Sequence, residues 1–78
     1  MVKVRLFGLL PRYVADYDPA KGISLNIQEG MFYRDLADSL QLPAGEASLF
    51  TVSGMLKRSN DTVSDGEEVN IFMPVSGG

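Results

Sequence analysis

Asp65-Gly66-Glu67-Glu68-Val69-Asn70-Ile71-Phe72-Met73-Pro74-Val75-Ser76-Gly77-Gly78 decides how the rest of the chain is read. Asp65-Gly66 is a turn signal, because Gly tolerates positive φ and Asp bonds its own backbone. Beyond it Val69, Ile71 and Met73 alternate with Asn70, Phe72 and Pro74, the period-two pattern of a strand with one face toward a core. Phe72 falls on the other face. Pro74 has no N–H to give a ladder, so pairing ends there and the chain leaves the sheet. The stretch Val75-Ser76-Gly77-Gly78 is mostly bare backbone, with a reach of roughly 13 Å when extended. Terminal glycines are common at frayed ends. Joined directly to an apolar strand that a small domain cannot spare, they acquire a use, since residues without Cβ can thread a channel too narrow for any other. The candidate functional group is therefore the carboxylate of Gly78, with Gly77 giving access to it.

The composition excludes most other sites. Seventy-eight residues make one domain, near the lower limit of what a single core stabilises unaided. The chain has neither cysteine nor histidine. Disulfides and thiolate metal sites are thereby absent, and so are the usual general base and every Ser-His or Cys-His nucleophile arrangement. The carboxylates, from Asp16 and Asp18 to Glu67 and Glu68, are dispersed among turns and polar faces and read as solvated charge. A formal charge of −3 argues against nucleic acid, whose binders carry a basic patch. Lys3 with Arg5, and Lys57-Arg58, are too few to reverse that. No apolar run is long enough to cross a bilayer, and no signal peptide is visible. The expectation is a cytoplasmic chain without internal repeats or linkers.

Toward the N-terminus, Val2, Val4 and Leu6 alternate with Lys3, Arg5 and Phe7, a strand with one buried face and Phe7 on the other. The spacing predicts an irregular connection over 8–22 with a helical turn near 12–16. A second strand, Ile23, Leu25 and Ile27, should pair antiparallel with the first. Over 31–42 the period becomes helical, with a stripe of Phe32, Leu36 and Leu40 flanked by Tyr33 and Ala37. Gly30 is the expected N-cap and Pro43 the stop. Leu49 to Val52 is a third strand with Phe50 and Val52 inward. Ser53-Gly54 turns into a short edge segment, Met55 to Arg58, before the final strand. This order fits an α+β domain in which one helix covers one face of a mixed sheet. The other face is left uncovered, with Phe7 and Phe72 on it and Leu56 following an exposed turn. If the first and last strands are neighbours, the two rings form a contiguous apolar patch, which marks a partner site.

The sequence resembles the MoaD/ThiS family of sulfur-carrier proteins over nearly its whole length. The matching residues are Val2-Lys3-Val4-Arg5-Leu6-Phe7-Gly8, Tyr33-Arg34-Asp35-Leu36-Ala37-Asp38-Ser39-Leu40, Val52-Ser53-Gly54 and above all Ser64-Asp65-Gly66-Glu67-Glu68-Val69 running into Phe72-Met73-Pro74-Val75-Ser76-Gly77-Gly78. The Phe-x-Pro-Val-x-Gly-Gly ending is more similar to the small subunit of molybdopterin synthase than to the thiamine carrier. Met73 departs from the pattern, which often has a second proline there. The resemblance implies a β-grasp, or ubiquitin-like, domain over 1–74: a mixed four- to five-stranded sheet, one main helix packed on one face, and a flexible Gly-Gly tail over 75–78.

It also implies a carrier without catalytic side chains, metal or cofactor of its own. A ubiquitin-activating-type adenylyltransferase using ATP and Mg would adenylate Gly78. A sulfurtransferase or cysteine desulfurase would supply sulfur to give a thiocarboxylate, and the molybdopterin synthase large subunit would use it in molybdenum or tungsten cofactor biosynthesis. Phe7, Leu56 and Phe72 resemble the family's hydrophobic docking surface, continued by Met73, Pro74 and Val75. The alternatives are a sulfur carrier for thiamine or another thiolated metabolite, or a ubiquitin-like modifier conjugated through Gly78.

Overall fold

The final strand occupies the middle of the sheet. The computed structural model describes residues 1–74. Its elements are β1 (Val2–Leu6), a 3-10 turn (Leu10–Tyr13), β2 (Ile23–Leu25), α1 (Tyr33–Ser39), β3 (Leu49–Val52), β4 (Met55–Lys57) and β5 (Glu68–Phe72). The strand order is β2-β1-β5-β3-β4. β1 and β5 run parallel and every other neighbouring pair is antiparallel. This is the β-grasp architecture, with α1 laid across one face of the sheet.

Register explains why that face is apolar. Val4 pairs with Val69 and Val69 with Val52, while Leu6 pairs with Ile71 and Ile71 with Phe50. Two cross-strand rows of apolar side chains result, and Tyr33, Leu36 and Ala37 of α1 close over them. The Tyr33 and Phe50 rings lie 6.0 Å apart between centroids. Tyr33 donates its hydroxyl to Glu67 Oε1 at 2.7 Å, so its one polar atom is satisfied at the core's margin. Burial first, and the Glu67 carboxylate second, push the Tyr33 phenol up. A phenol whose folded value is raised contributes stability that is complete below the unfolded value of about 10 and is lost as pH rises further. Unfolding free energy should therefore decline in alkali, and the decline should be shallower in Tyr33→Phe. Equal slopes in denaturant titrations would remove Tyr33 as the cause.

The helix is shorter than its sequence pattern. Phe32, not Gly30, is the N-cap: its N–H donates to Asp35 Oδ2 at 2.8 Å, and Asp35 N–H returns to the Phe32 carbonyl at 2.9 Å. Phe32 is extended and bridges Thr62, and the amides of Tyr33 and Arg34 donate to the Asp61 and Ser59 carbonyls. These tertiary bonds tie residues 32–34 to the 59–62 loop and delay the helix. It ends before Pro43 because Gln41 turns left-handed at φ 58. The Leu42 N–H then reaches the Ala37 carbonyl and the Gln41 N–H that of Asp38, a Schellman motif. Tyr33, Leu36 and Ala37 are buried, whereas Phe32 and Leu40 are half-buried.

β2 also stops short of the expected Ile27. Leu25 pairs with Val2 at the start of β1, and the Met1 carbonyl beyond it is taken by the Gly66 N–H. The helical turn in the 8–22 connection comes earlier than expected, at Leu10–Tyr13, and drives a fully buried Leu10 into the core. Where β2 no longer covers β1, the Tyr17 hydroxyl accepts the Leu6 N–H at 2.8 Å. Gly22 makes the chain's return to the sheet possible. Its φ is +69, and a Cβ there would stand 2.8 Å from the Val4 carbonyl oxygen. Gly22→Ala should cost about 1–3 kcal/mol from backbone strain alone and lower the melting temperature accordingly. An unchanged melting temperature would show that this edge of β1 yields without cost.

Candidate functional site

The uncovered face of the sheet is polar at one end and apolar at the other. Arg5, Asn70, Thr51 and Leu56 form one cross-strand row, and Phe72 faces Leu49 in the next. Phe7 extends the second row: its N–H donates to the Ile71 carbonyl at 3.1 Å, and its ring stacks on Phe72 with centroids 4.6 Å apart and planes 12° apart. Leu56 lies diagonal to Leu49 across the β3–β4 pair, within reach of a long side chain. Phe7, Phe72, Leu49 and Leu56 thus make one apolar surface. Phe7 is 40% and Leu56 69% exposed. Phe72 is half-buried, because its ring is covered by that of Phe7.

At the opposite end Arg5 Nε pairs with Glu68 at 2.7 Å and its Nη1 donates to the Pro19 carbonyl at 2.9 Å. An ion pair this exposed contributes about 0–1 kcal/mol. Its effect on the surface is to hold the guanidinium away from the aromatic pair.

Alternation placed Phe7 and Phe72 on this face and the resemblance added Leu56; the fold stacks the two rings and sets Leu56 on the same face, two strands away on β4. Leu49 was not singled out, although the inward assignment of Phe50 obliges its neighbour to face outward. Met73 is half-buried against the core cluster and Pro74 is exposed. Val75, Gly77 and Gly78 lie outside the described residues.

Among the described residues no cluster of metal-ligating side chains is assembled, and no helix is long and apolar enough to cross a membrane. A hollow of about 350 Å³ between Gln28–Gly30 and Thr62–Asp65 sits beside the start of β5, far from the aromatic pair at its end.

No family model matches the chain, nor does any of the curated proteins. Among solved structures it is similar to a protein from Pyrococcus furiosus provisionally named molybdopterin converting factor, subunit 1, with a TM-score of 0.68 and 22% identity over 95% of this chain and 97% of that one. The chain has that protein's fold. The likeness runs over nearly the full length of both chains.

Proposed function

We propose that the chain is a sulfur carrier of the MoaD/ThiS type, acting as the small subunit of a molybdopterin synthase. The observation that carries this reading is a juxtaposition: the contiguous Phe7-Phe72-Leu49-Leu56 surface lies at the end of β5 from which the chain runs on to Gly77-Gly78. A partner that docks on this face has the glycines within reach. Side chains on the face, Asn70 and Thr51 included, supply neither nucleophile nor base, so the reaction belongs to the carboxylate and the partner's active site.

A C-terminal carboxyl has a pKa of about 3.3–3.7 and is ionised near neutrality. In the proposed cycle an oxygen of Gly78 attacks the α-phosphate of ATP, held with Mg by the adenylyltransferase, and pyrophosphate leaves. The terminal sulfur of a persulfide on a sulfurtransferase or cysteine desulfurase attacks the acyl carbon, and AMP leaves with the C–O bond that breaks. A second thiol then attacks the S–S bond of the resulting acyl disulfide, ending as a disulfide itself and releasing the thiocarboxylate. The resulting thiocarboxylate is a soft nucleophile on a thin tether, offered to the large subunit.

The test is the intact mass of the protein before and after incubation with ATP, sulfide and the cognate activating enzyme. A gain equal to replacing one oxygen by one sulfur, mapped to Gly78, is expected. No gain with a demonstrably active enzyme, together with Gly-Gly remnants on lysines of other proteins, would make the chain a protein modifier instead.

Phe72→Ala separates docking from folding. The stacked pair contributes about 0.5–1.5 kcal/mol to stability, whereas loss of a central aromatic anchor costs a partner complex about 2 kcal/mol or more. Calorimetric titration against the activating enzyme should show the larger effect. A large fall in melting temperature with unchanged binding would place the ring in the core rather than on the docking face.

A further inference from the structure

The backbone ladder that holds β5 in the sheet runs out before the chain does. The last register pair on one side is Leu49 with Phe72, and on the other the Phe7 N–H takes the Ile71 carbonyl. Among the described residues, neither Met73 nor Pro74 contributes a backbone hydrogen bond outside the strands, and Pro74 has no N–H to give. Beyond Phe72 the chain is therefore held by a side chain. Met73 is half-buried and packs on the core cluster. Its thioether lies over Gly8, where the chain leaves β1 at φ +66. A Cβ built at Gly8 would stand 3.4 Å from Met73 Sδ and 3.7 Å from its Cγ. A single carbon just fits in contact; anything longer along that bond enters the space of the sulfur. A bare backbone at position 8 thus gives the flexible methionine a seat.

We propose that Met73, seated on Gly8, is a positioning residue: it fixes the point and direction from which the Gly-Gly segment is delivered to the activating enzyme. The proposal rests on the sulfur-carrier reading and adds to it a role for two residues that touch no substrate. The docking rings sit on the outer face, whereas the thioether is turned toward the core, so the two functions are separable. Phe7 and Phe72 determine how well the partner binds. Met73 determines how often the bound chain presents its carboxylate correctly. A misplacement of about 1 Å costs on the order of 10²-fold in rate when a reacting group must meet a fixed site, and loosening an anchor that only biases direction should cost on the order of tenfold.

The experiment compares wild type with Met73→Ala, Met73→Leu and Gly8→Asn. Asn tolerates positive φ and carries atoms beyond Cβ toward the seat. One readout needs no partner: the {1H}-15N NOE of the residue 73 amide relative to that of Ile71. The other is ATP–pyrophosphate exchange by the cognate activating enzyme, analysed as kcat and KM. The NOE at residue 73 should fall in Met73→Ala and Gly8→Asn and stay near wild type in Met73→Leu. In parallel kcat should fall on the order of tenfold with KM unchanged, and Met73→Leu should restore it.

An unaltered NOE in Met73→Ala would show that the thioether anchors nothing. A lowered NOE with unaltered kcat would show that the anchor has no bearing on delivery, and a rise in KM alone would make Met73 a direct partner contact. If wild type itself is not activated, the sulfur-carrier reading fails and the delivery role with it, while the NOE comparison still decides whether Gly8 seats Met73.

Discussion

Deleting Gly78, or adding one residue after it, is expected to abolish ATP-dependent activation while leaving the melting temperature unchanged. The two halves of this expectation have separate origins. Among the described residues, every fully buried apolar side chain lies between Val2 and Ile71, so a change at position 78 removes nothing from the described core. The carboxylate proposed to react, by contrast, moves by one residue, or about 3.3–3.6 Å along an extended chain. Against a fixed acyl-transfer site, a shift of that size should reduce the rate by at least on the order of 10²-fold. In the extended form an added side chain would also stand where a glycine passes. Pyrophosphate exchange and thermal unfolding, run on the same preparations, measure both halves. Turnover of the extended protein without prior trimming would refute the terminal-carboxylate mechanism.

Phe50→Ala is expected to be the most destabilising single truncation. Phe50 is fully buried, opposite Ile71 and against the Tyr33 ring, where sheet and helix both contribute walls. Truncating a buried phenylalanine costs about 3–5 kcal/mol, because the lost transfer energy is compounded by a cavity the surroundings cannot close. Leu36→Ala, fully buried on α1, should cost about 2–5 kcal/mol for the same reason. At roughly 0.05–0.15 kcal/mol per residue, a domain of this length has on the order of 4–12 kcal/mol in all. The Phe50 variant should therefore lose much of its stability, with a melting temperature lower by on the order of 20 °C. Leu49, its chain neighbour, faces outward, and Leu49→Ala makes the control. Comparable losses at 49 and 50 would mean that β3 does not present alternate residues to opposite faces.

The range of each interaction decided whether it was legible in the sequence. Strict alternation in Val2–Leu6, Leu49–Val52 and Val69–Phe72 assigned the two faces of the central strands, because period two is a local property. It could not show that β1 and β5 are neighbours, which is what turns Phe7 and Phe72 from solitary rings into a stacked pair. The start of α1 was misplaced because Thr62 and the Ser59 and Asp61 carbonyls, distant in sequence, hold residues 32–34. β2 was read too long because alternation continues to Ile27 while its partner strand does not. Leu10, fully buried within a stretch of turn residues, carried no periodic signal. Gly8 and Met73 were both visible as residues, but their contact depends on the parallel pairing of strands drawn from opposite ends of the chain.

That pairing bears on how the protein comes to exist in the cell. The strands at the centre of the sheet, β1 and β5, are the first and last to be synthesised. Bringing them together closes a loop of nearly the entire chain, an entropic cost incurred before the contacts return it. During translation β1 can pair with β2, but its other edge stays open until Phe72 has been made. A nascent or truncated chain lacking β5 therefore exposes the Val2-Val4-Leu6 face and an unpaired strand edge, and is a ready target for chaperones and proteases. Folding is thus tied to the arrival of β5: a chain whose sheet has closed is one whose synthesis has already passed Phe72.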